Sequence, residues 1–413
     1  MRGVIWFILL AVAAVVAALT LGDNDGLVTF YWGGWRLDLA LNFFLLLAIA
    51  GGMITMYAVQ AVNVLIGLPE RAREWRAQRH ERAAHAALRE ALTEYFSGRY
   101  TRSHKAAMRS LAIRIDGEGE ADQHEFQTLA RLLAAGSLHR LQDRPQRDDL
   151  LRKVFEAGPA SLAPVDEGAR LLAAEWALDD RDGARAEALL AELPPGAARR
   201  TQALRLKLQL ARLMRRSAEA LHTARLLAKH QAFSAVAAQG LLRSLAFEVL
   251  DDAHDIDQLR RAWQQLDAID RRDPFVAARA ARRAATLGVP ADGRLWLQPH
   301  WDRTDELGTD GRNQIALALM DAADGVGSDW LPRIEAAQRA HVNEPAVLAA
   351  AGTVMMSCQL WGKARRPLEL AAQDAALDVR ARRHAWRLLA QLAREQSDED
   401  RAAACERSAA ALD

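Results

Sequence analysis

The side chains that most often carry acid–base or metal chemistry are dispersed along this sequence. His80 and His85 are five positions apart, which on a helix places them about 140° from each other, too far round for one metal ion to bind both easily. Other histidines are scattered singly: His104, His124, His139, His222 and His230. We therefore interpret the histidines as solvated or structural residues.

Acidic residues and cysteines give no catalytic arrangement either. Aspartates gather where helices are expected to turn, and there they cap helices by accepting free backbone N–H bonds. The two groups are Asp179, Asp180 and Asp182, and Asp251, Asp252, Asp255 and Asp257. Cys358 and Cys405 lie 47 positions apart without a CxxC or Cys–His cluster, which suits a reducing compartment. The sequence thus predicts no catalytic residue and no metal site.

Two apolar runs near the N-terminus predict a membrane anchor over residues 1–68. Val4 to Leu21 gives 18 uncharged residues, and Leu39 to Leu68 gives 30, with its most apolar part at Phe43 to Val59. At about 1.5 Å per residue either run can cross a hydrocarbon core of roughly 30 Å. We expect two transmembrane helices. A cleaved signal peptide over the first run is left open.

Arginines directly after the second run predict contact with the membrane surface and set the orientation. They are Arg71, Arg73, Arg76, Arg79 and Arg82. Flanking cations favour the cytoplasmic side and attract anionic lipid, whereas the loop between the runs is acidic except for Arg36. In that loop Tyr31, Trp32 and Trp35 should lie at a membrane interface. Both termini should therefore be cytoplasmic. With 54 Lys and Arg against 53 Asp and Glu, the chain has no general charge that would attract nucleic acid.

The remaining chain is helical in pattern and shows weak internal repeats. Pro69 suits the first turn of a new helix, and strand-like alternation is nearly absent. Small residues that could open the packed face of a second helix recur 34 positions apart at Ala186 and Ala220. Further units are indicated by Ala87, Ala91, Gly98, Ser103, Ala107 and Ser110; by Ala262, Leu266, Ile269 and Pro274; by Leu348, Gly352, Met355, Trp361, Ala364, Leu368 and Ala371; and by Trp386, Leu389, Ala390, Ala402 and Ala409. We predict an all-α chain in which the two membrane helices precede a tetratricopeptide-like α-solenoid.

One stretch interrupts these repeats. Residues 288–312 contain many helix breakers together with Trp296, His300 and Trp301, either as a boundary between two arrays or as a functional loop. The simpler interpretation is that the tryptophans pack the ends of neighbouring helices. On this basis we predict one array over 69–290, including the basic juxtamembrane helix, and a second over 291–413.

Three segments in this order resemble the HemY family. They are GGWRLDLALNFF (33–44), LPERAREWRAQR (68–79) and QLWGKARRPLE (359–369). Members of that family are inner-membrane tetratricopeptide-repeat proteins of Gram-negative bacteria associated with late protohaem synthesis. The resemblance implies a multi-pass inner-membrane protein whose large C-terminal domain is cytoplasmic, with late haem-biosynthesis enzymes as partners.

The resemblance does not extend to the flavin-dependent oxidase that shares the family's name, because no GxGxxG turn follows a strand here. We expect a scaffold that organises pathway enzymes or handles porphyrin, and no enzyme. Direct haem or porphyrin binding stays open as an alternative, since one imidazole suffices as an axial ligand. So does general envelope assembly. Partner contacts are expected at Tyr95, Tyr100, Trp361 and Trp386, although aromatic residues in such repeats are mostly core.

Overall fold

The computed structural model describes residues 26–113, 120–156 and 164–412. The chain divides between residues 157 and 158 into two compact units. The predicted first span, Val4 to Leu21, lies outside the described residues.

A β-hairpin opens the described part of the first unit. Strand β1 (Leu27–Trp32) pairs antiparallel with β2 (Trp35–Ala40), from Leu27 opposite Ala40 to Trp32 opposite Trp35. Gly33 and Gly34 form the turn with φ of +51° and +85°, the two positive values that a two-residue primed turn requires. The sequence predicts a loop for this segment, and that prediction is wrong. The alternation of apolar and polar residues lasts only six residues in each strand. That is too short to be recognised beside two long apolar runs.

Helix α1 (Leu41–Phe96) follows the hairpin directly and is 56 residues long. Its first part, Leu41–Val62, is long and apolar enough to cross a membrane and is not buried by protein. It is the one such candidate among the described residues, where two spans were predicted for the whole anchor. The helix continues through Pro69, so the prediction of a new helix there is wrong. Strong helix formers on both sides offset the single N–H bond that proline removes.

Three helices follow in the first unit: α2 (Tyr100–Ala112), α3 (Glu120–Arg140) and α4 (Arg144–Glu156). The first two pack against the end of α1, and α4 packs against α3. Buried hydroxyls join the first three helices. Ser103 Oγ donates to the Ala91 carbonyl at 2.8 Å, and Ser137 Oγ lies 2.9 Å from Ser103 Oγ. The predicted unit around Ala91 and Ser103 is therefore a packed helix pair.

The second unit consists of helices in antiparallel pairs. Its elements are α5 (Pro164–Asp179), α6 (Gly183–Ala191), α7 (Pro195–Ala198), α8 (Thr201–Leu213), α9 (Ser217–Lys229), α10 (Ala235–Asp251), α11 (Ile256–Gln265), α12 (Ala268–Arg271), α13 (Pro274–Thr286), α14 (Pro290–Trp301), α15 (Thr309–Asp321), α16 (Leu331–Ala340), α17 (Pro345–Ser357), α18 (Trp361–Gln373), α19 (Val379–Glu395) and α20 (Glu399–Ala410), with 3₁₀ turns at Thr304–Glu306 and Ser328–Trp330. First helices of successive pairs stack on one another, as α13 does on α15 and α15 on α17. Such stacking is how repeat proteins bury a continuous core, so the predicted helical-repeat architecture is confirmed within this unit.

Most helix pairs share one turn. The residue at the turn has a positive φ. Its own N–H and the N–H of the next residue donate to carbonyls of the first helix, as in a Schellman cap. At Gln359, for example, φ is +60°, and the Leu360 N–H donates to the Met355 carbonyl at 2.9 Å. The same geometry occurs at Gly98, Gln142, Arg181, Arg215, Gly288, Gln359 and Ser397.

Buried small residues flank these turns at a fixed spacing, seven before and five after the turn residue. The pairs are Ala91 and Ser103, Ala174 and Ala186, Ala281 and Gly293, Gly352 and Ala364, and Ala390 and Ala402. A Cβ on Gly352 would lie 2.5 Å from Leu368 Cγ, and one on Gly293 would lie 2.9 Å from the Ala281 carbonyl oxygen. The two helices of a pair therefore approach closely at this position.

Most residues predicted to pack do so, with one clear exception. Ala186 and Ala220 are fully buried in the second helices α6 and α9. Ile269, however, is 81% exposed on the short helix α12, so its predicted core position is wrong. The regular heptad-like spacing ends at Leu266, where α11 stops and α12 starts in a new direction.

The stretch around residue 290 is regular rather than broken. Pro290 begins α14, which packs against α13 and α15, and both Trp296 and Trp301 are buried. The array boundary predicted between 290 and 291 stays a prediction, and the two compact units divide at 157/158. Proline and glycine at the start of a helix resemble loop residues in sequence, although proline is favoured there.

Candidate functional site

Ion pairs join neighbouring helix pairs of the second unit and involve about ten of its arginines. Arg260 Nε lies 2.6 Å from Asp292, Arg279 lies 2.6 Å from Asp251, and Arg312 lies 2.6 Å from Glu344. Hydrogen bonding to Arg312 lowers the pKa of Glu344, while pairing with Asp251 raises the pKa of Arg279. Similar pairs are Arg216 with Glu187, Arg333 with Asp302, Lys363 with Glu335, and Arg401 with Glu369. These contacts span about one repeat in sequence and fix neighbouring pairs to each other.

A cavity lies beside the short helix α12. Its volume is about 470 Å³, and helices α11, α12 and α14 contribute its walls. Trp263 and Trp296 stack with their ring centroids 5.1 Å apart and their planes 23° apart. Leu295 extends the apolar wall and is 64% exposed. We call this cavity, with Trp263, Trp296 and the arginines below, the tryptophan–arginine cavity.

Arginines carry the positive charge of this cavity: Arg271, Arg272 and Arg303. Within the described part of the chain none of them has a carboxylate partner, and Arg303 donates only to the Pro299 carbonyl. Glu306 is the one acidic residue of the lining. The cavity therefore has a net positive lining.

The acidic residues next to these arginines in the sequence form ion pairs with other arginines. Asp270 pairs with Arg225, and Asp273 accepts from Arg243 at 2.8 Å. Both partners come from the preceding helix pairs, and neither aspartate forms an ion pair with Arg271 or Arg272. This leaves the positive charge beside the tryptophans without a counterion from the fold.

His300 supports the floor of the cavity and is 8% exposed. Its Nε2 donates to the Arg271 carbonyl at 3.1 Å. Burial lowers the pKa of His300, and the positive charge of Arg303 acts in the same direction. The ring is thus held neutral, and the positive charge of the cavity comes from the arginines.

A larger groove lies on the other side of α12, with a volume of about 960 Å³. Arg243 is held over the ring of Phe275, 3.9 Å from its centroid, by its ion pair with Asp273. Ile269 is exposed at its edge. Arg272 lines both spaces. Here, unlike in the tryptophan–arginine cavity, the central arginine is already paired.

The predicted membrane-surface arginines follow the apolar part of α1. Arg76, Arg79 and Arg82 are exposed, and Arg79 lies over the ring of Trp75, 5.5 Å from its centroid. The side chains of Arg71 and Arg73 lie outside the described part of the structure. Arg79 and Arg82 thus face solvent or lipid headgroups along the helix.

The predicted partner-binding aromatics fall in both units. Tyr95 and Tyr100 are half-buried and meet edge to face, with centroids 5.6 Å apart across the first turn. In the second unit Trp361 is 38% exposed at the start of α18, while Trp386 packs against the core. Trp361 is therefore the most accessible of the four.

The β-hairpin has one apolar and one polar face. Val28, Phe30 and Trp32 share a face with their cross-strand partners Leu39, Leu37 and Trp35. On the opposite face Asp38 accepts from Thr29 Oγ1 at 2.6 Å and from Arg36 Nε at 3.1 Å. The apolar face is open in the described structure: Trp32 is 88% exposed and Trp35 is 83% exposed.

Only part of these sites could be predicted from the sequence. The sequence marked Trp296 and His300 as unusual but did not indicate Trp263 or the adjacent Arg271 and Arg272. What distinguishes the two arginines is that the aspartates on either side of them form ion pairs with other arginines. Only the folded structure reveals those ion pairs. Among the described residues, no group of three or more His, Cys, Asp or Glu side chains could hold a metal ion, and both cysteines are free.

Comparisons with known proteins give one family and several remote structures. No curated protein matches the sequence. Among solved structures, the crystal structure of the APC/C hetero-tetramer Cut9–Hcn1 matches with 14% identity and a TM-score of 0.28, over 84% of this chain and 68% of that one. The structure of Naa15/Naa10 bound to HypK-THB matches with 12% identity and a TM-score of 0.25, over 76% and 56%.

The family match covers the hairpin, α1, α2 and α3. The family described as HemY protein N-terminus matches residues 26–142, which begin with the strands and end just after the third helix. These residues include two of the three segments on which the sequence resemblance was based. Over this N-terminal region the chain is similar to the HemY family.

Proposed function

We propose that this protein is a membrane-anchored helical-repeat scaffold that acts in a late step of haem biosynthesis by organising pathway enzymes or handling porphyrin. The observation that carries the proposal is the family match over residues 26–142, the segment that joins the apolar helix to the first repeat. It is a scaffold in this proposal, and not an enzyme. The large C-terminal part is cytoplasmic, beside the anionic inner leaflet.

The architecture of α1 supports this proposal. One continuous helix carries the apolar segment Leu41–Val62 at one end and packs against α2 and α3 at the other. Proteins that dock on the first repeat would therefore stay within the length of this helix from the membrane. Enzymes that exchange a poorly soluble tetrapyrrole gain from such a shared location, because the local concentration of each at its neighbour is raised.

The test is affinity capture of the full-length protein from detergent-solubilised membranes, read by mass spectrometry. We expect late haem-biosynthesis enzymes to be enriched, and enrichment to fall in a variant lacking residues 1–68. Capture of envelope-assembly proteins without haem enzymes would contradict the proposal and support a general assembly scaffold.

A substitution pair locates the docking surface. Trp361→Ala removes the most accessible of the predicted partner-contact residues, and Trp75→Ala removes a tryptophan of 60% exposure on the juxtamembrane part of α1. We expect Trp361→Ala to reduce capture several-fold, as exposed tryptophans often do at interfaces. Equal capture by both variants would remove Trp361 from the docking surface.

A further inference from the structure

We infer that the tryptophan–arginine cavity binds a small anionic molecule with a planar apolar ring system and at least one carboxylate or sulfonate group. This inference rests on the second unit alone and does not depend on the scaffold proposal. Its volume of about 470 Å³ lies within the usual range for small-molecule sites, roughly 300 to 1,000 Å³.

The apolar wall selects a ring. Trp263 and Trp296 stack with their planes 23° apart, and both line the cavity. Trp296 is 9% exposed, so the core fixes its position. Leu295 stands at the rim with 64% of its surface exposed. A planar ring that covers this wall would remove apolar area from water at about 25 cal/mol per Å².

The arginines select an acid. Several guanidinium groups of the second unit are paired with carboxylates of the neighbouring helix pair, as Arg260 is with Asp292. Arg271 and Arg272 lack such a partner in the described residues because Asp270 and Asp273 are paired with Arg225 and Arg243. A guanidinium group presents donors in a fork that matches a carboxylate or sulfonate. The walls of one cavity therefore provide both positively charged groups and an apolar aromatic surface.

A small ligand fits these features better than an acidic peptide does. Glu306 lies in the lining and would repel a run of acidic residues. One flat ligand group can contact the exposed Leu295 and the stacked indoles together. The cationic side chains line the same cavity of about 470 Å³.

The experiment uses the full-length protein in phosphatidylcholine nanodiscs and isothermal titration calorimetry with naphthalene-1,5-disulfonate. This probe is planar, doubly anionic and too polar to partition into the neutral bilayer. Ethane-1,2-disulfonate carries the same charges without a ring. We expect the ring-bearing probe to bind at least tenfold more tightly. Equal binding of the two would overturn the ring requirement and with it the inference.

Two double variants test the arginines. Arg271→Gln with Arg272→Gln removes the two charges that line the cavity and should weaken binding about tenfold, as expected for lost charge-assisted hydrogen bonds at a partly solvated site. Arg205→Gln with Arg212→Gln removes two exposed charges from α8, outside the cavity, and should change affinity less than twofold. An equal loss in both would mean general charge attraction and would overturn the inference.

A second variant pair keeps the test independent of those charges. Leu295→Asp places an acid at the rim of the cavity, whereas Val236→Asp places one at an 83% exposed position on α10. Both positions are exposed, so both variants should fold. Binding should be lost in Leu295→Asp only. Unchanged binding in Leu295→Asp, or displacement of the probe by an oligoglutamate peptide of higher affinity, would contradict a small-ligand site.

Discussion

At the scale of single residues, Gly352 shows how closely a helix pair is packed. A methyl group there would lie 2.5 Å from Leu368 Cγ and 3.3 Å from the Leu368 backbone nitrogen, and Leu368 is fully buried. We expect Gly352→Ala to lower the free energy of unfolding by about 1 to 3 kcal/mol, because an overpacked core must shift side chains and backbone. Gly240→Ala, in the middle of α10 with open space around it, should instead raise it by about 0.5 to 1 kcal/mol. Chemical unfolding followed by circular dichroism measures both, and stabilisation by both substitutions would refute the close approach.

His300 should make the stability of the second unit depend on pH. Burial lowers its pKa in the folded state below the ordinary value of about 6.5. A lowered histidine pKa favours the neutral form, so this contribution is complete above pH 6.5. It is lost as the pH falls from there through the folded-state pKa, by at most about 1.4 kcal/mol per pH unit.

The substitution His300→Gln tests this pH dependence. Glutamine can still donate to the Arg271 carbonyl but takes up no proton. The variant should lose less stability than the natural protein between pH 7 and pH 5, measured by urea unfolding at each pH. His254→Gln, at an exposed position, should keep the natural slope. A parallel decline in all three proteins would exclude His300 as the titrating group.

At the scale of secondary-structure elements, the two faces of the β-hairpin predict how it meets the bilayer. Phe30 contacts Phe44 on the first turn of α1, with centroids 5.5 Å apart, so the apolar face is continuous with the apolar helix. Tryptophan prefers the membrane–water interface. We expect Trp32 and Trp35 to lie in the interface, while Tyr31, on the opposite face, points to water. The sequence had grouped all three, since only the strand register separates them.

Environment-sensitive labels on adjacent residues check this arrangement. Cysteine at position 32 or 31, in a chain whose Cys358 and Cys405 are replaced by alanine, is labelled with nitrobenzoxadiazole in lipid nanodiscs. The label at 32 should be blue-shifted and protected from dithionite, and the label at 31 should not. If protection at 32 persists after lipid is exchanged for amphipol, another protein segment covers the apolar face, and the lipid prediction fails.

The same elements show what the sequence could and could not reveal about the fold. Helical periodicity with buried alanines identified the repeats, because small residues at close crossings leave a recognisable spacing. Two of the shared turns were recognised at Gly98 and Gly288, where glycine marks the positive φ. Those at Arg181, Gln359 and Ser397 were invisible because ordinary residues occupy the left-handed conformation there. Ion pairs between helix pairs, and therefore the unpaired Arg271 and Arg272, depend on which repeats become neighbours and carry no local signal.

At the scale of the whole molecule, the length of α1 determines how the membrane and the first repeat are connected. A helix of 56 residues extends about 84 Å at 1.5 Å per residue. Its first 22 residues, Leu41–Val62, are long and apolar enough to span a membrane. The remaining part reaches from the membrane surface to the helices it packs against. The anchor is therefore a rod within the first unit and not a flexible tether.

Double electron–electron resonance, which measures the distance between two spin labels, tests whether α1 is one rigid rod. Labels at the exposed positions Tyr57 and Leu92, in the cysteine-free chain in nanodiscs, are separated by 35 residues and should give one narrow distance near 50 Å. Gln78→Pro removes a hydrogen bond and crowds the preceding turn, which costs about 3 kcal/mol, so the distribution should broaden and shorten. Gln78→Ala should leave it narrow. A broad distribution in the natural sequence, indistinguishable from that of Gln78→Pro, would mean that α1 bends near the membrane surface. The first repeat would then be held to the membrane by a hinge, and partners docked on it would not stay at a fixed height above the bilayer.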